Sequence, residues 1–280
     1  MNVNTCAPRT LLVFLLPLIA AAASTTATAA LVFMEDFSTY TSTTAATDFY
    51  KKWTRLSGSG NLSNAAFNAS DSKFTGAWLQ VERNTVHQYT LAPADTITGD
   101  FSLSATVSFD ATGASGKQLW FGLFDAAGTH GYVAHFNSQT SGGGVLRLKE
   151  FNVAATSDLT YNLGGTNLTT SAVSSGLTNA ITGSATLTLK WNATTQKLSL
   201  LINDTPVTGL TDISVSATAI TSFSNITFGG VTGAQFSNIQ LSGTTTVPVP
   251  EPATFAIVLA AFAFLVGLAI HRRRSQTCFR

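Results

Sequence analysis

Cysteine is almost missing from this 280-residue chain: there are two, Cys6 and Cys278, each close to a terminus. The long stretch between them therefore holds neither a disulfide nor a thiolate metal ligand. Charge is sparse as well, at 10% of residues. From Leu31 to Thr246 there are ten Lys/Arg and thirteen Asp/Glu, a net charge near −3, and no basic run. Nucleic acid is thus not an expected partner, because nothing here would neutralise a row of phosphates. The histidines of that stretch, His87, His130 and His135, show no His-x-x-x-His or His-Glu-x-x-His spacing, so the usual zinc pattern is missing. If residues 132–136 form a strand, positions 130 and 135 point to opposite faces, which predicts surface or loop histidines rather than a shared metal. A Gly-x-Ser-x-Gly elbow is also lacking, and a serine-esterase reading has no anchor.

What is present begins with two apolar segments at the ends. Near the N-terminus, Arg9 is the only charge before Glu35, and Leu11–Ala23 is an apolar run of secretory-signal length interrupted by Pro17. Ala27-Thr28-Ala29 then supplies small residues at −3 and −1 of a cleavage site before Ala30. Residues 1–29 are read as a signal peptide, removed by signal peptidase during export.

The other end carries Val247-Pro-Val-Pro-Glu-Pro-Ala-Thr-Phe255, an apolar run to Ile270, and His271-Arg-Arg-Arg274. Pro248, Pro250 and Pro252 lock φ and bias their predecessors to extended backbone, so residues 244–252 are expected to be a stiff, presented linker. Ala253–Ile270 is uncharged and as a helix spans roughly 27 Å, slightly less than a bilayer core. Residues 253–271 are therefore expected to cross a membrane. Arg272, Arg273 and Arg274 can snorkel to the interface and hold residues 272–280 on the cytoplasmic side. This order of elements resembles the PEP-CTERM sorting signal of Gram-negative bacteria, with Pro250, Glu251 and Pro252 as the sorting motif. The resemblance implies recognition by an exosortase, which cuts near Pro-Glu-Pro and passes the body to the cell surface or extracellular matrix. The extension Ser275–Arg280 after the arginines departs from the usual pattern.

Between these signals the pattern is β throughout. Apolar or alternating stretches occur at Leu31–Phe37, Ala77–Glu82, Phe101–Phe109, Gln118–Phe124, Tyr132–Phe136, Val145–Phe151, Ala185–Trp191, Lys197–Ile202, Ile220–Phe228 and Phe236–Leu241. Gly, Asn, Asp, Ser and Thr clusters separate them, and none reads as an amphipathic helix. Phe101, Leu103, Ala105, Val107 and Phe109 alternate with hydroxyl or small residues, which predicts one buried and one wet face. Residues 185–191 and 197–202 read as a hairpin about Asn192–Gln196. Asn203-Asp204-Thr205-Pro206 reads as a second turn, since Asn and Asp tolerate φ > 0 and Pro206 cannot continue a central ladder. Thr41–Asp48, Leu163–Gly183 and Gly142–Gly144 are expected to be exposed loops.

Ten or more strands at this spacing predict one all-β domain, over 30–243, built as an antiparallel two-sheet jelly-roll sandwich. The strand succession from Leu187 to Leu241 resembles the second half of a concanavalin A-like (laminin G-like) sandwich. That resemblance implies that the last strand, Phe236–Leu241, lies beside the first, Phe33–Phe37. β-Glucan-cleaving enzymes of that class carry a Glu-x-Asp-x-x-Glu spacing that sets acid and nucleophile on one face. It is missing here: Glu35, Glu82 and Glu150 each stand alone, and Glu82 next to Arg83 suggests a surface ion pair.

The segment Leu119–Tyr132 is the best candidate for ligand binding. Trp120 and Tyr132 flank a glycine-bearing turn as possible stacking faces for sugar rings, with Asp125 and Asn137 as hydrogen-bonding neighbours. The dense aromatics of 120–124 cannot all face one side, and core packing competes with that reading. Asp125 with a loop carbonyl is the only hint of a Ca²⁺ site, and one carboxylate falls short of a ligand set; no other cofactor is expected. The functional expectation is an exported, surface-sorted, non-catalytic adhesion or carbohydrate-binding module. Its rivals are a secreted polysaccharide-active enzyme on the same fold and a ligand-free structural surface protein.

Overall fold

A computed structural model of the chain describes residues 29–40, 44–57, 73–75, 77–81, 85–109, 118–139, 143–156, 159, 166–168, 173–175, 184–215, 219–231 and 233–245. The expected signal peptide up to Thr28, the residues after Thr245 with the sorting motif Pro250, Glu251, Pro252 and the arginines Arg272, Arg273, Arg274, and the pair Glu82-Arg83 lie outside the described residues. Among the described residues no helix is long and apolar enough to cross a membrane.

In chain order the elements are β1 (Ala30–Glu35), α1 (Ala45–Lys52), β2 (Thr54–Ser57), β3 (Lys73–Thr75), β4 (Trp78–Val81), β5 (Val86–Thr90), β6 (Ile97–Phe109), β7 (Gln118–Phe124), β8 (His130–Gln139) and β9 (Gly143–Asn152). They continue with β10 (Thr166–Asn167), β11 (Val173–Ser175), β12 (Ala185–Asn192), β13 (Lys197–Ile202), β14 (Thr205–Pro206), β15 (Ile213–Ser214), β16 (Asn225–Gly230) and β17 (Ala234–Thr245). One sheet runs β14-β13-β12-β6-β17-β4-β3, with β1 also on β17 and β15 on β13. The other runs β10-β9-β8-β7-β16-β5-β2, with β11 on β9. All strand pairs of both sheets are antiparallel. The body is the expected two-sheet sandwich, and first and last strands adjoin, Phe33 opposite Leu241. β17 continues through Thr245, two residues past the anticipated end of the domain.

The core follows from period-2 alternation on both inner faces. Phe101, Leu103, Ala105 and Val107 of β6 meet Leu119, Phe121 and Leu123 of β7 and Tyr132, Ala134 and Phe136 of β8 in one continuous cluster. In β17 a bulge at Asn238, whose φ is +48, resets the count, so Phe236, Ile239 and Leu241 all face inward. The β12–β13 hairpin pairs Leu187 with Ile202 through Asn192 with Lys197. Asn203 and Asp204 take φ of +46 and +62, a two-residue turn of primed type that places Pro206 on an edge strand.

Three expectations are corrected. Thr41–Asp48 is not simply a loop, because α1 begins at Ala45 and buries Ala45, Ala46 and Phe49. Phe49 stacks on Trp53 and meets His87 of β5 edge-on, and Trp53 meets Phe33 of β1 edge-on, so aromatic contacts tie the end of the helix to both sheets. Leu163–Gly183 contributes two short strands, β10 and β11, to the edge of β9. Residues 220–224 precede rather than belong to β16; Phe223 instead forms a lone bridge with Ile97 of the opposite sheet.

Candidate functional site

The two aromatics expected to form a stacking platform are on opposite faces of one sheet. Trp120 lies on the outer face, fully buried in a second, small core with Val86, Phe124, Val133, Phe151 and Leu159. Tyr132 lies on the inner face, fully buried in the main core. The expectation of a shared exposed surface is therefore corrected: neither ring offers a free face, because both sides of this sheet are covered. Asn137 is half-buried on the same face as Trp120, opposite Gln118 in the ladder. Asp125 closes the β7–β8 turn, its Oδ1 accepting from the backbone N–H groups of Thr129 at 3.0 Å and His130 at 3.2 Å. Among the described residues no group of three or more His, Cys, Asp or Glu is placed to hold a metal ion.

The histidines are not surface residues. His87 is fully buried against Phe49, Tyr50 and Phe228, and neither ring nitrogen has a hydrogen-bond partner. Burial, aided by the Arg55 charge, pushes it down to about 3. His135, on the outer face, donates from Nε2 to Gln118 Oε1 at 3.2 Å, and burial followed by the Lys149 and Arg147 charges pushes it down to about 3. His130 lies on the inner side with Nε2 2.9 Å from Glu150 Oε1. The predicted divergence of His130 and His135 to opposite faces is what the structure shows.

Glu35 is also placed structurally. Its buried carboxylate accepts from Lys52 Nζ at 2.8 Å, Tyr40 Oη at 3.2 Å, Trp53 Nε1 at 3.3 Å and the Phe37 N–H at 3.4 Å. The Lys52 ammonium sits 4.8 Å above the Phe33 ring. Burial first, and then the Glu35 charge, push the Tyr40 phenol above its ordinary range. The cluster ties β1 to α1.

A cavity of about 150 Å³ opens at the pole of the sandwich where β12 ends and β6 begins. Trp191, Phe223 and Ile220 give it a largely buried apolar floor, and exposed Thr98, Gln196 and Thr221 supply hydroxyl and amide groups at its rim. Its wall is the segment 219–223, held from behind by Tyr132. The Ile220 N–H donates to Tyr132 Oη at 3.1 Å, and the Tyr132 ring lies 5.0 Å from that of Trp191. Burial pushes Tyr132 up to about 12, the Ile220 N–H opposes that shift, and the Glu150 charge adds to it. The phenol is thus neutral and serves as a buried acceptor. Of the residues expected to bind ligand, Tyr132 reaches this site, from the second layer. Trp191, the aromatic that does line it, closes the alternating run of β12 and carries no local signal beyond its place beside a turn.

Residues 248–274 match the PEP-CTERM protein-sorting motif. No curated protein matches the chain. Among solved structures, the carbohydrate-binding module CBM66 from Bacillus subtilis is similar over 69% of this chain and 96% of its own, at 12% identity and a TM-score of 0.41. The CBM2 module of the evolved Dit of Lactobacillus casei BL23 phage J-1 is similar over 78% and 97%, at 11% identity and a TM-score of 0.48. A conserved carbohydrate esterase from the Shiga toxin-encoding bacteriophage phi24B is similar over 78% and 100%, at 12% identity and a TM-score of 0.44. All three are distant resemblances of overall architecture. The tail order of Pro-Glu-Pro, apolar run and arginine cluster stands as one matched unit, and the chain carries a PEP-CTERM protein-sorting motif behind a two-sheet β-sandwich.

Proposed function

We propose that this chain is exported, held in the inner membrane as an intermediate through residues 253–271, and sorted by an exosortase to the cell surface or matrix. There the sandwich acts as a non-catalytic adhesion or carbohydrate-binding module. The observation that carries the reading is the sorting-motif match over 248–274. The exposed Thr98, Gln196 and Thr221 at the rim of the pole cavity supply hydroxyl and amide groups of the kind that meet a sugar, above aromatic residues that are themselves core. The two described glutamates favour binding over hydrolysis, since Glu35 is bound by four donors and Glu150 lies within ion-pair distance of His130.

Sorting is tested by expressing the tagged full chain with an exosortase and following it by fractionation. The expected result is a processed form at the surface, with a membrane-retained precursor when Pro250, Glu251 and Pro252 are replaced by alanine. Intact precursor in the cytosol would overturn the reading. Binding is tested on a glycan array with and without Ca²⁺, next to a reducing-end assay on the same glycans. Release of reducing ends would replace the module with the polysaccharide-active enzyme.

A further inference from the structure

Among the described residues, Leu31 and Met34 are the large apolar side chains left exposed, at 60% and 54%. They are three apart in β1, a spacing that in a regular strand sends two side chains to opposite faces. The register shift between Leu31 and Phe33 adds one residue, Val32, so that Leu31 and Met34 share the outer face while Phe33 and Glu35 are buried. The bulge thus holds a pair of apolar side chains outside the core.

The pairing extends that pair into a stripe. β17 gives one edge to β6, and its other edge carries β4 beside residues 234–236 and β1 beside residues 239–243. β4 therefore starts, at Trp78, next to where β1 stops. Leu79 is core, and Trp78 before it is half-buried on the opposite, outer face. Across the sheet, Leu31 leads through Ser242 and Ser102 to the exposed Lys190, and Met34 through Gln240 and Ser104 to Thr188. Lys197 stands one row further on the same face, opposite Asn192. The neighbouring Asp100 has its Oδ1 occupied by the Ala193 N–H at 2.8 Å. This face is apolar along one edge, hydroxyl- and amide-bearing in the middle and basic beyond.

The tail fixes what such a face meets. β17 belongs to this sheet, so the chain leaves at its level, about 10 Å from the level of the other sheet. Leu31 lies opposite Ser242, three residues before the end of β17 at Thr245, or about 10 Å along the strand. Residues 246–252 then lead to the apolar run from Ala253 and span at most about 25 Å. Pro248, Pro250 and Pro252 lack the N–H that a strand added to β1 would need, so this linker is not the occupant of the stripe. On so short a tether the nearest surface is the membrane that holds the tail.

Resting on the membrane-held intermediate proposed above, we infer that the outer face of the β1–β17–β6–β12 sheet docks on the anionic lipid surface that anchors the chain. Leu31, Met34 and the Trp78 indole enter the headgroup region, and Lys190 and Lys197 meet lipid phosphates. The sandwich lies along the membrane and keeps Pro250-Glu251-Pro252 close to it. A contact this small is weak by itself and gains from the high local concentration that the tether imposes, so cutting the tail also releases the face.

Tryptophan fluorescence reads this contact directly. Of the four tryptophans, Trp53, Trp120 and Trp191 are core, which leaves Trp78 as the one that lipid can reach. The full chain, expressed for export and recovered with its tail, is reconstituted in phosphatidylethanolamine/phosphatidylglycerol vesicles with brominated acyl chains, and protease protection of the tail reports insertion. The expected result is quenching relative to unbrominated vesicles, and loss of most of it in the double variant Leu31→Thr, Met34→Thr, which keeps strand-forming residues at exposed positions. Partial loss is expected in Lys190→Gln, Lys197→Gln and in brominated phosphatidylcholine. An inserted tail without quenching, or quenching that the Leu31/Met34 variant retains, overturns the docking and leaves the membrane-held intermediate standing. Equal quenching in phosphatidylcholine overturns the anionic partner. Cross-linking of two copies through β1 in place of quenching overturns the lipid surface in favour of a second copy. A tail that never inserts overturns both the docking and the intermediate on which it rests.

Discussion

Ile97 and Phe223 exchange both backbone hydrogen bonds, N–H to carbonyl in each direction at 2.9 Å, although Ile97 opens β6 of one sheet and Phe223 lies in the lead-in to β16 of the other. On its other side Ile97 pairs with Thr245. This one residue therefore joins the cavity floor to the strand from which the sorting tail departs, and closes the pole with backbone rather than side chains. The segment 219–223 gains a fixed position without being part of a sheet.

Tyr132→Phe is expected to loosen that segment. The buried Ile220 N–H loses its acceptor, which costs about 1–3 kcal/mol. Urea unfolding should show the loss as a lower midpoint. An unchanged midpoint would mean that the wall stands without the phenol.

His87→Phe is expected to stabilise the protein, by roughly 1 kcal/mol, because an imidazole with two unpartnered buried nitrogens is exchanged for a ring that asks for no hydrogen bonds. The surrounding aromatic rings of Phe49 and Phe228, at 5.1 and 5.4 Å, already suit it. A lower unfolding midpoint would show that His87 has a partner in solution.

Acid should destabilise the fold through His87 and His135. Both have folded values pushed down to about 3, against about 6.5 in the unfolded chain, so the unfolded state takes up protons first. Their contribution is fully present above about pH 6.5 and is lost as pH falls toward 3, by up to about 1.4 kcal/mol per pH unit for each histidine. Urea midpoints measured between pH 7.5 and 4.5 should fall, and less steeply in His87→Phe. Equal slopes in variant and parent would contradict the burial argument.

Glu35→Ala is expected to cost roughly 2–4 kcal/mol, since Lys52, Tyr40 and Trp53 all lose a common acceptor at the β1–α1 corner. Glu35→Gln keeps an acceptor oxygen and should lose less. Thermal unfolding of the two variants side by side checks the order.

Period-2 alternation made most of the sandwich legible in advance. Gln118–Phe124 and Lys197–Ile202 appear with the bounds read from sequence, and β6 faces its apolar residues inward as expected. The short elements were hidden for physical reasons. In α1 only Ala45, Ala46 and Phe49 are buried, too few for a periodic signal, and the packing of Phe49 on Trp53 determines it. β2 and β5 are short strands near a sheet edge, and His87 within β5 looked polar until its aromatic surroundings were known.

The aromatic residues divide in the same way. Alternation implied that Trp120 and Phe121 part company, but which of the two faces would be wet depended on Leu159 and Phe151 covering the outer one. Trp191 and Phe223 are about thirty residues apart in sequence and meet at one pole with a 6.4 Å ring separation because β12 and the lead-in to β16 end there.

The chain by itself determined the sorting motif and the kind of fold, because a tail of prolines, apolar residues and arginines is a local pattern and alternation acts through neighbours two apart. Only the tertiary structure decided which aromatics are core, where the cavity lies, and that the sorting tail leaves beside it. Those outcomes depend on contacts between residues distant in sequence, such as Ile97 with Phe223 and Thr245, that no local pattern encodes.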